Sequence, residues 1–254
     1  MRRVWTAWVG IFLLIFCFIF SLNLGKAQAA PLVDIIWIVD ESSSMQNDQQ
    51  NIKNNLDIFT QTFANANFDI QYALVGFGWA STTNPDPFIR LVTGLTDANG
   101  FKAGLDQLHE IGSLEKGFQA TKFAIDNVTR RSGSIPIYIV VTDEDADGVH
   151  ADADAALFFI NALWNGIVNL NDYVGPGGDY SVLANNHGGQ LFSIDAFAAD
   201  PQAFFTFFAN EKLKEVQDHN GGGNGDPVIP EPSSLFLLGV GVVAALGLRR
   251  KVLS

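Results

Sequence analysis

A chain of 254 residues with 15 Lys and Arg against 27 Asp and Glu has a net charge of −12. It therefore repels polyanions and is not built to bind nucleic acid. A single cysteine, Cys17, excludes a disulfide framework. At the start of the chain, Arg2 and Arg3 precede an apolar run over residues 8–20, and Ala27 and Ala29 place small residues at −3 and −1 of a cleavage site. This is the three-part grammar of a secretory signal peptide over residues 1–29. Cys17 lies inside it behind Phe16, where a lipid-attachment signal would carry a small residue. The exported body then has no cysteine, and an oxidising compartment leaves it unchanged.

Residues 30–219 have the length of one ordinary domain. Three apolar runs rich in β-branched residues, at 32–39, 70–78 and 135–142, read as strands covered on both faces. Weaker strand candidates are residues 162–170 and 190–194, and residues 87–92 suit a short edge strand. Helical stripes lie between them. Ile52, Leu56, Phe59 and Phe63 share one helix face; Phe101, Leu105 and Leu108 make a second stripe; Leu114, Phe118, Ile125 and Val128 make a third. Asp200 and Pro201 are a natural N-cap and first helical residue for a segment containing Phe204 and Val216. The many phenylalanines are read as core. This alternation predicts a doubly wound α/β fold, Rossmann-like, with a mainly parallel sheet and helices on both faces. In such folds ligands bind beyond the carboxyl ends of the strands, where Asp40 and Asp143 both stand.

The glycine-rich residues 220–229 read as a linker. It leads to Pro230, Glu231 and Pro232, an apolar stretch over 234–248, and then Arg249, Arg250 and Lys251. At 1.5 Å per residue the stretch spans roughly 22 Å, enough for a membrane helix with snorkelling ends, its basic end held on the cytoplasmic side. The order of these three parts over 230–254 resembles the PEP-CTERM sorting signal. That resemblance implies export, a Gram-negative-type envelope, processing by an exosortase, and association with extracellular polysaccharide or biofilm. Outside the two terminal signals, nine Lys and Arg face 26 Asp and Glu, so the body carries −17.

The stretch DESSSM, residues 40–45, follows the first strand and admits three readings. A helix cap needs only one such residue and leaves the others unexplained. A hydrolase nucleophile lacks the G-x-S-x-G elbow. Of the available histidines, His109 reads as solvated, His187 as a surface residue before a Gly-Gly turn and His219 as bordering the linker, so only His150 is a candidate to approach the serines. The metal reading uses every piece. Asp40, Ser42 and Ser44 offer alternate oxygens from one loop, with Ser43 turned away or capping the helix, and Asp143 supplies a second carboxylate. Such oxygens suit a hard divalent cation, Mg²⁺ foremost, with Ca²⁺ or Mn²⁺ as alternatives.

With these residues in place, the domain resembles a von Willebrand factor A domain carrying a metal-ion-dependent adhesion site. The match runs over most of residues 32–217: the D-x-S-x-S at Asp40, Ser42 and Ser44, the strand ending in Asp143, and a late helix, Gly188-Gly189 turn and final strand. The resemblance implies those four residues as ligands. One piece departs from the family pattern: Leu114 occupies the place of a middle-loop Thr, leaving Ser113, Glu115 or water to fill that position. A further run, residues 143–154, spells the start of a calcium loop, but it follows a strand and lacks the closing Glu, so an EF-hand is not expected. Asp145 and Asp147 then form either a local Ca²⁺ site or an acidic rim beside the metal. The expectation is a non-enzymatic, surface-sorted adhesion module that holds an acidic group of a protein or polysaccharide through the cation. The alternative is a structural component of envelope or matrix, in which metal only stabilises the fold.

Overall fold

The computed structural model describes residues 29–81, 84–110, 116–145, 149–170 and 180–221. Strand β1 (Leu32–Asp40) is buried from Val33 onward because its aliphatic side chains alternate to two faces and both are covered. It pairs in parallel with β2 (Asp69–Ser81) on one side and β4 (Ile135–Val141) on the other. Strands β5 (Leu163–Val168) and β6 (Leu191–Ser193) continue the sheet in parallel beyond β4, while β3 (Asn84–Thr96) closes the opposite edge antiparallel to β2. The order is β3-β2-β1-β4-β5-β6. The chain winds outward from β1 and then restarts beside it at β4, so the carboxyl ends of β1 and β4 flank the switch-point crevice.

The short edge strand expected at residues 87–92 is the middle of a 13-residue strand. Pro85, Pro87 and Gly94 mask it in the sequence; an edge strand tolerates proline because one side of it is left without a pairing partner. Its register with β2 shifts repeatedly, as bulged edges do.

One face of the sheet carries α1 (Gln46–Asn65), α2 (Ala98–Leu105), α6 (Ile194–Ala199) and α7 (Pro201–Gly221); the other carries α3 (Gly117–Asn127), α4 (Ala151–Phe159) and α5 (Ser181–Asn186). The stripe Ile52, Leu56, Phe59 and Phe63 is buried as the spacing predicts. In the third stripe Phe118 and Val128 are buried, and Leu114 lies outside the described residues. Helix α7 starts where expected, with the Asp200 carboxylate accepting from the Ala203 amide at 3.0 Å. Most of the described phenylalanines are core, Phe158, Phe159 and Phe207 excepted: Trp37 lies with its ring centroid 6.1–6.3 Å from those of Phe59, Phe101, Phe205 and Phe208. The predicted Gly-Gly turn has a steric basis. Gly188 adopts φ +63°, and a Cβ at Gly189 would come within 1.8 Å of the Trp164 carbonyl oxygen.

Two polar clusters lie within this frame. At the strand starts, the Arg131 guanidinium donates to Asp34 at 2.6 Å, to Asp69 at 3.0 Å and to the Val33 carbonyl at 2.8 Å. Inside α7, Lys212 has no exposed surface; its ammonium meets Glu215 at 2.5 Å, donates to Asn165 of β5, and lies 4.5 Å from the centroid of the Phe192 ring.

Candidate metal centre

Asp40 is the last residue of β1 and is fully buried. One carboxylate oxygen accepts the Ser42 amide at 2.6 Å, and the other accepts the Thr142 hydroxyl at 2.8 Å. Thr142 follows β4 directly, so this bond ties together the two strand ends that flank the crevice. A 3-10 turn over Ser43–Met45 then brings Ser42 and Ser44 to the same side. Their hydroxyl oxygens are 3.0 Å apart, and Ser44 donates to the Asp143 carboxylate at 3.1 Å. Ser43 is exposed. Neither Ser42, before the turn, nor Met45, before α1, makes a side-chain capping bond. The serines therefore form a row of oxygens with Asp143 in place of the cap. Gln49 braces the loop from α1, donating to the Asp40 carbonyl at 2.9 Å and to the His109 carbonyl at 3.2 Å.

The site is strongly electronegative. Burial pushes the Asp40 carboxyl up to about 7, opposed by the Ser42 amide and the Thr142 hydroxyl and assisted by the charge of Asp143. Asp48, in the first turn of α1, is pushed up to about 6 by burial and then by the charge of Asp143. One Asp48 oxygen is buried without a hydrogen-bond partner. Sequence reading missed both Asp48 and Thr142; the signal for Asp48 was an acid on the same helix face as Ile52. Among the described residues no three His, Cys, Asp or Glu side chains could hold an ion by themselves. An ion here would rely on the serine hydroxyls, and the mixed carboxylate and hydroxyl set fits a hard divalent cation.

The raised acid at Asp40 sets a pH dependence. Its stabilising contribution is fully present below its ordinary value near 4 and is lost as pH rises through about 7. The metal-free protein therefore loses stability, relative to an Asp40→Asn variant, across that window. At roughly 1.4 kcal/mol per pH unit the difference is on the order of 4 kcal/mol. Urea unfolding of both proteins in chelator between pH 4 and 8 measures it; parallel curves would refute it.

Glu41 is buried too, but its carboxylate turns toward β3 and the segment after α2. Its carboxylate receives Arg90 at 2.6 Å and the His109 amide at 2.7 Å. Gly76 makes the space, since a Cβ there would lie 2.5 Å from the Glu41 carboxylate. Gly76→Ala should displace Glu41 and destabilise the protein by roughly 1–3 kcal/mol, the range for overpacking, as read by denaturant midpoint.

Of the remaining predicted ligands, Ser113, Glu115 and Asp147 lie outside the described residues. Asp145 follows β4 and is partly exposed. Asp154, at the twelfth place of the calcium-loop pattern, lies instead in α4. There Asn186 and His187 hold it by hydrogen bonds at 2.9 and 2.8 Å, and the Asn186 bond leads in lowering its carboxyl. His187, expected at the surface, is buried against that carboxylate because the Gly-Gly turn folds it inward. His150 starts α4 with its ring 5.9 Å from that of Phe118.

A six-stranded, mainly parallel sheet with a D-x-S-x-S loop at its switch point is the arrangement of a von Willebrand factor A domain. The sequence model of the von Willebrand factor type A domain matches residues 34–158, and that of the PEP-CTERM protein-sorting motif matches residues 228–251. The chain thus carries a von Willebrand factor A domain followed by a PEP-CTERM motif, which implies export and surface sorting. Among solved structures, proximal thread matrix protein 1 from the mussel byssus is similar at 19% identity and TM-score 0.50, covering 72% of this chain and 47% of that one. This chain therefore spans about half the length of that protein. A form of the same byssus protein with a zinc-occupied metal-ion-dependent adhesion site motif aligns at 20% identity and TM-score 0.49, over 72% and 47% of the two chains. An aerotolerance-related membrane protein from Bacteroides fragilis aligns at 15% identity and TM-score 0.48, over 72% and 99%. No curated protein is similar enough in sequence to match. Among the described residues no helix is long and apolar enough to cross a membrane; the predicted membrane stretch at 234–248 lies outside them.

Proposed function

We propose that this protein is a non-enzymatic, surface-displayed interaction module in which a divalent cation held by Asp40, Ser42, Ser44 and Asp143 captures an acidic group on a protein or polysaccharide. The observation that carries this reading is the hydrogen-bonded row Ser42–Ser44–Asp143, set in front of the buried Asp40 carboxylate. Two hydroxyls among the ligands leave a cation short of negative charge, so it retains affinity for an external carboxylate. The body's net charge of −17 opposes direct binding of an acidic partner, and a bridging cation resolves that opposition. Asp48, coupled to the charge of Asp143, strengthens the local negative potential. The signal peptide, the linker at 220–229 and the PEP-CTERM segment with its exosortase processing complete the reading: the domain is delivered across the inner membrane and held there transiently by its tail.

The test has two arms. Calorimetry with Mg²⁺, Ca²⁺ and Mn²⁺ should give binding to the wild type and at least about tenfold weaker binding to Ser44→Ala, since losing even an outer-shell partner of a ligand costs that much. Retention on an immobilised polyuronate or aspartate-rich peptide should then disappear in chelator. Cation binding with chelator-indifferent retention would favour a structural matrix role. No cation binding at all would end the adhesion reading.

A further inference from the structure

The described domain has two poles, and both chain exits lie on one of them. Residue 31 enters at the strand starts, where the Asp69 amide donates to the Pro31 carbonyl at 3.0 Å. Helix α7 ends at the same pole, since His219 meets Asn161 at 3.1 Å just before β5 begins. The Ser42–Ser44–Asp143 row lies at the far ends of the strands, roughly 26 Å away along β1 at about 3.3 Å per residue. Next to Asn161, the last turn of α4 presents two adjacent aromatic rings to solvent: Phe158 is 80% exposed and Phe159 is 89% exposed. Nearly all the chain's other described phenylalanines are core, so this pair is an anomaly that packing does not explain.

We propose that this pole is a membrane-resting face, and that Phe158 and Phe159 insert into the lipid surface while the chain is tethered by its own C-terminal segment. The inference rests on the reading of residues 234–248 as membrane-spanning. Twelve residues separate Gly221 from that stretch, and a glycine-rich linker of that length has an r.m.s. reach of roughly 19 Å. The tether therefore keeps the exit pole within contact range of the bilayer. Exposed aromatic side chains at headgroup depth are the arrangement that the interface favours. A domain resting on this face directs the oxygen row away from the membrane.

The test uses the exported protein, residues 30–254, which contains no cysteine, reconstituted into phosphatidylcholine vesicles containing brominated lipid. A thiol-linked fluorophore is placed at Ser132→Cys, on the exit pole, or at Asn47→Cys, on the oxygen-row pole; both positions are exposed. We expect bromolipid to quench the Ser132 reporter and not the Asn47 reporter. The double variant Phe158→Ser/Phe159→Ser should lose the quenching while the protein still floats with the vesicles. Equal quenching at the two positions, or quenching that survives the double variant, overturns the proposal but leaves the tether intact. Failure to float overturns the tether reading, and the proposal with it. Quenching replaced by concentration-dependent self-association through the phenylalanine pair would assign the face to a second copy of the chain and also overturn the proposal.

Discussion

Asp40→Asn is expected to leave the metal-free protein at least as stable as the wild type at pH 8, and to remove every stabilising response to divalent cation. The two halves have one cause. In the wild type at pH 8 a carboxylate sits ionised in a site whose burial raises it to about 7, and the amide isostere removes that charge. The same substitution preserves an acceptor for the Ser42 amide and a polar contact to Thr142. It deletes the anionic oxygen that a cation needs. A ligand present at a hundred times its Kd stabilises by about 2.7 kcal/mol. For a domain of this size that corresponds to a rise in Tm of roughly 6–10 °C. Thermal melts in chelator and in Mg²⁺ should therefore give two curves for the wild type and one for the variant. A variant that is strongly destabilised without metal would show that Asp40 is a structural acceptor and not a strained ligand.

The second large effect lies far from that site. Glu215→Leu is expected to destabilise the protein by about 3–5 kcal/mol, because it strands the Lys212 ammonium in an apolar interior. Lys212 is fully buried, with Glu215 as its counter-charge and Asn165 as its second acceptor. Asn165 and Gln190 in turn donate to Glu215 at 3.2 and 3.1 Å. Burial pushes Lys212 down to about 8 even with Glu215 opposing the shift. Raising the pH past that value should recover part of the loss in the single variant, because the neutral amine needs no partner. The double variant Lys212→Met/Glu215→Leu should fall within about 1–2 kcal/mol of the wild type, since apolar replacement of both partners removes the desolvation penalty along with the attraction. Urea midpoints for the three proteins decide it. A single variant within 1 kcal/mol of the wild type would show that the pair is not sealed from water.

These two sites differ in how much of them could be read from the chain. Strand β1, the α1 stripe and the position of Asp40 are local: period and composition specify them within a dozen residues, as they do for the Asp200 cap of α7. Asp143, which accepts from Ser44, stood out in the sequence because it too follows an apolar run. Strand β3 was underestimated because prolines and polar residues on an edge erase the alternation that marks a half-buried strand. The Lys212 cluster was invisible because its partners, Asn165 and Glu215, are 47 and 3 residues away; charged residues in a helix read by default as a solvated face. Glu41 hides for the same reason, its partner Arg90 lying 49 residues away. The inward turn of His187 depends on the close approach of Gly189 to Trp164, which no local pattern encodes.

Arg131 gives this architecture a mechanical character. On the proposed function, a partner held at the Asp40 end of β1 and a tether beyond Gly221 would place the domain under tension along the strand axis. The parallel pairs β1–β2 and β1–β4 meet such a pull in shear, so their ladder bonds share it and must slip together. Arg131 binds Asp34 and the Val33 carbonyl of β1 and also Asp69 of β2, pinning the trailing ends of two sliding strands to one guanidinium.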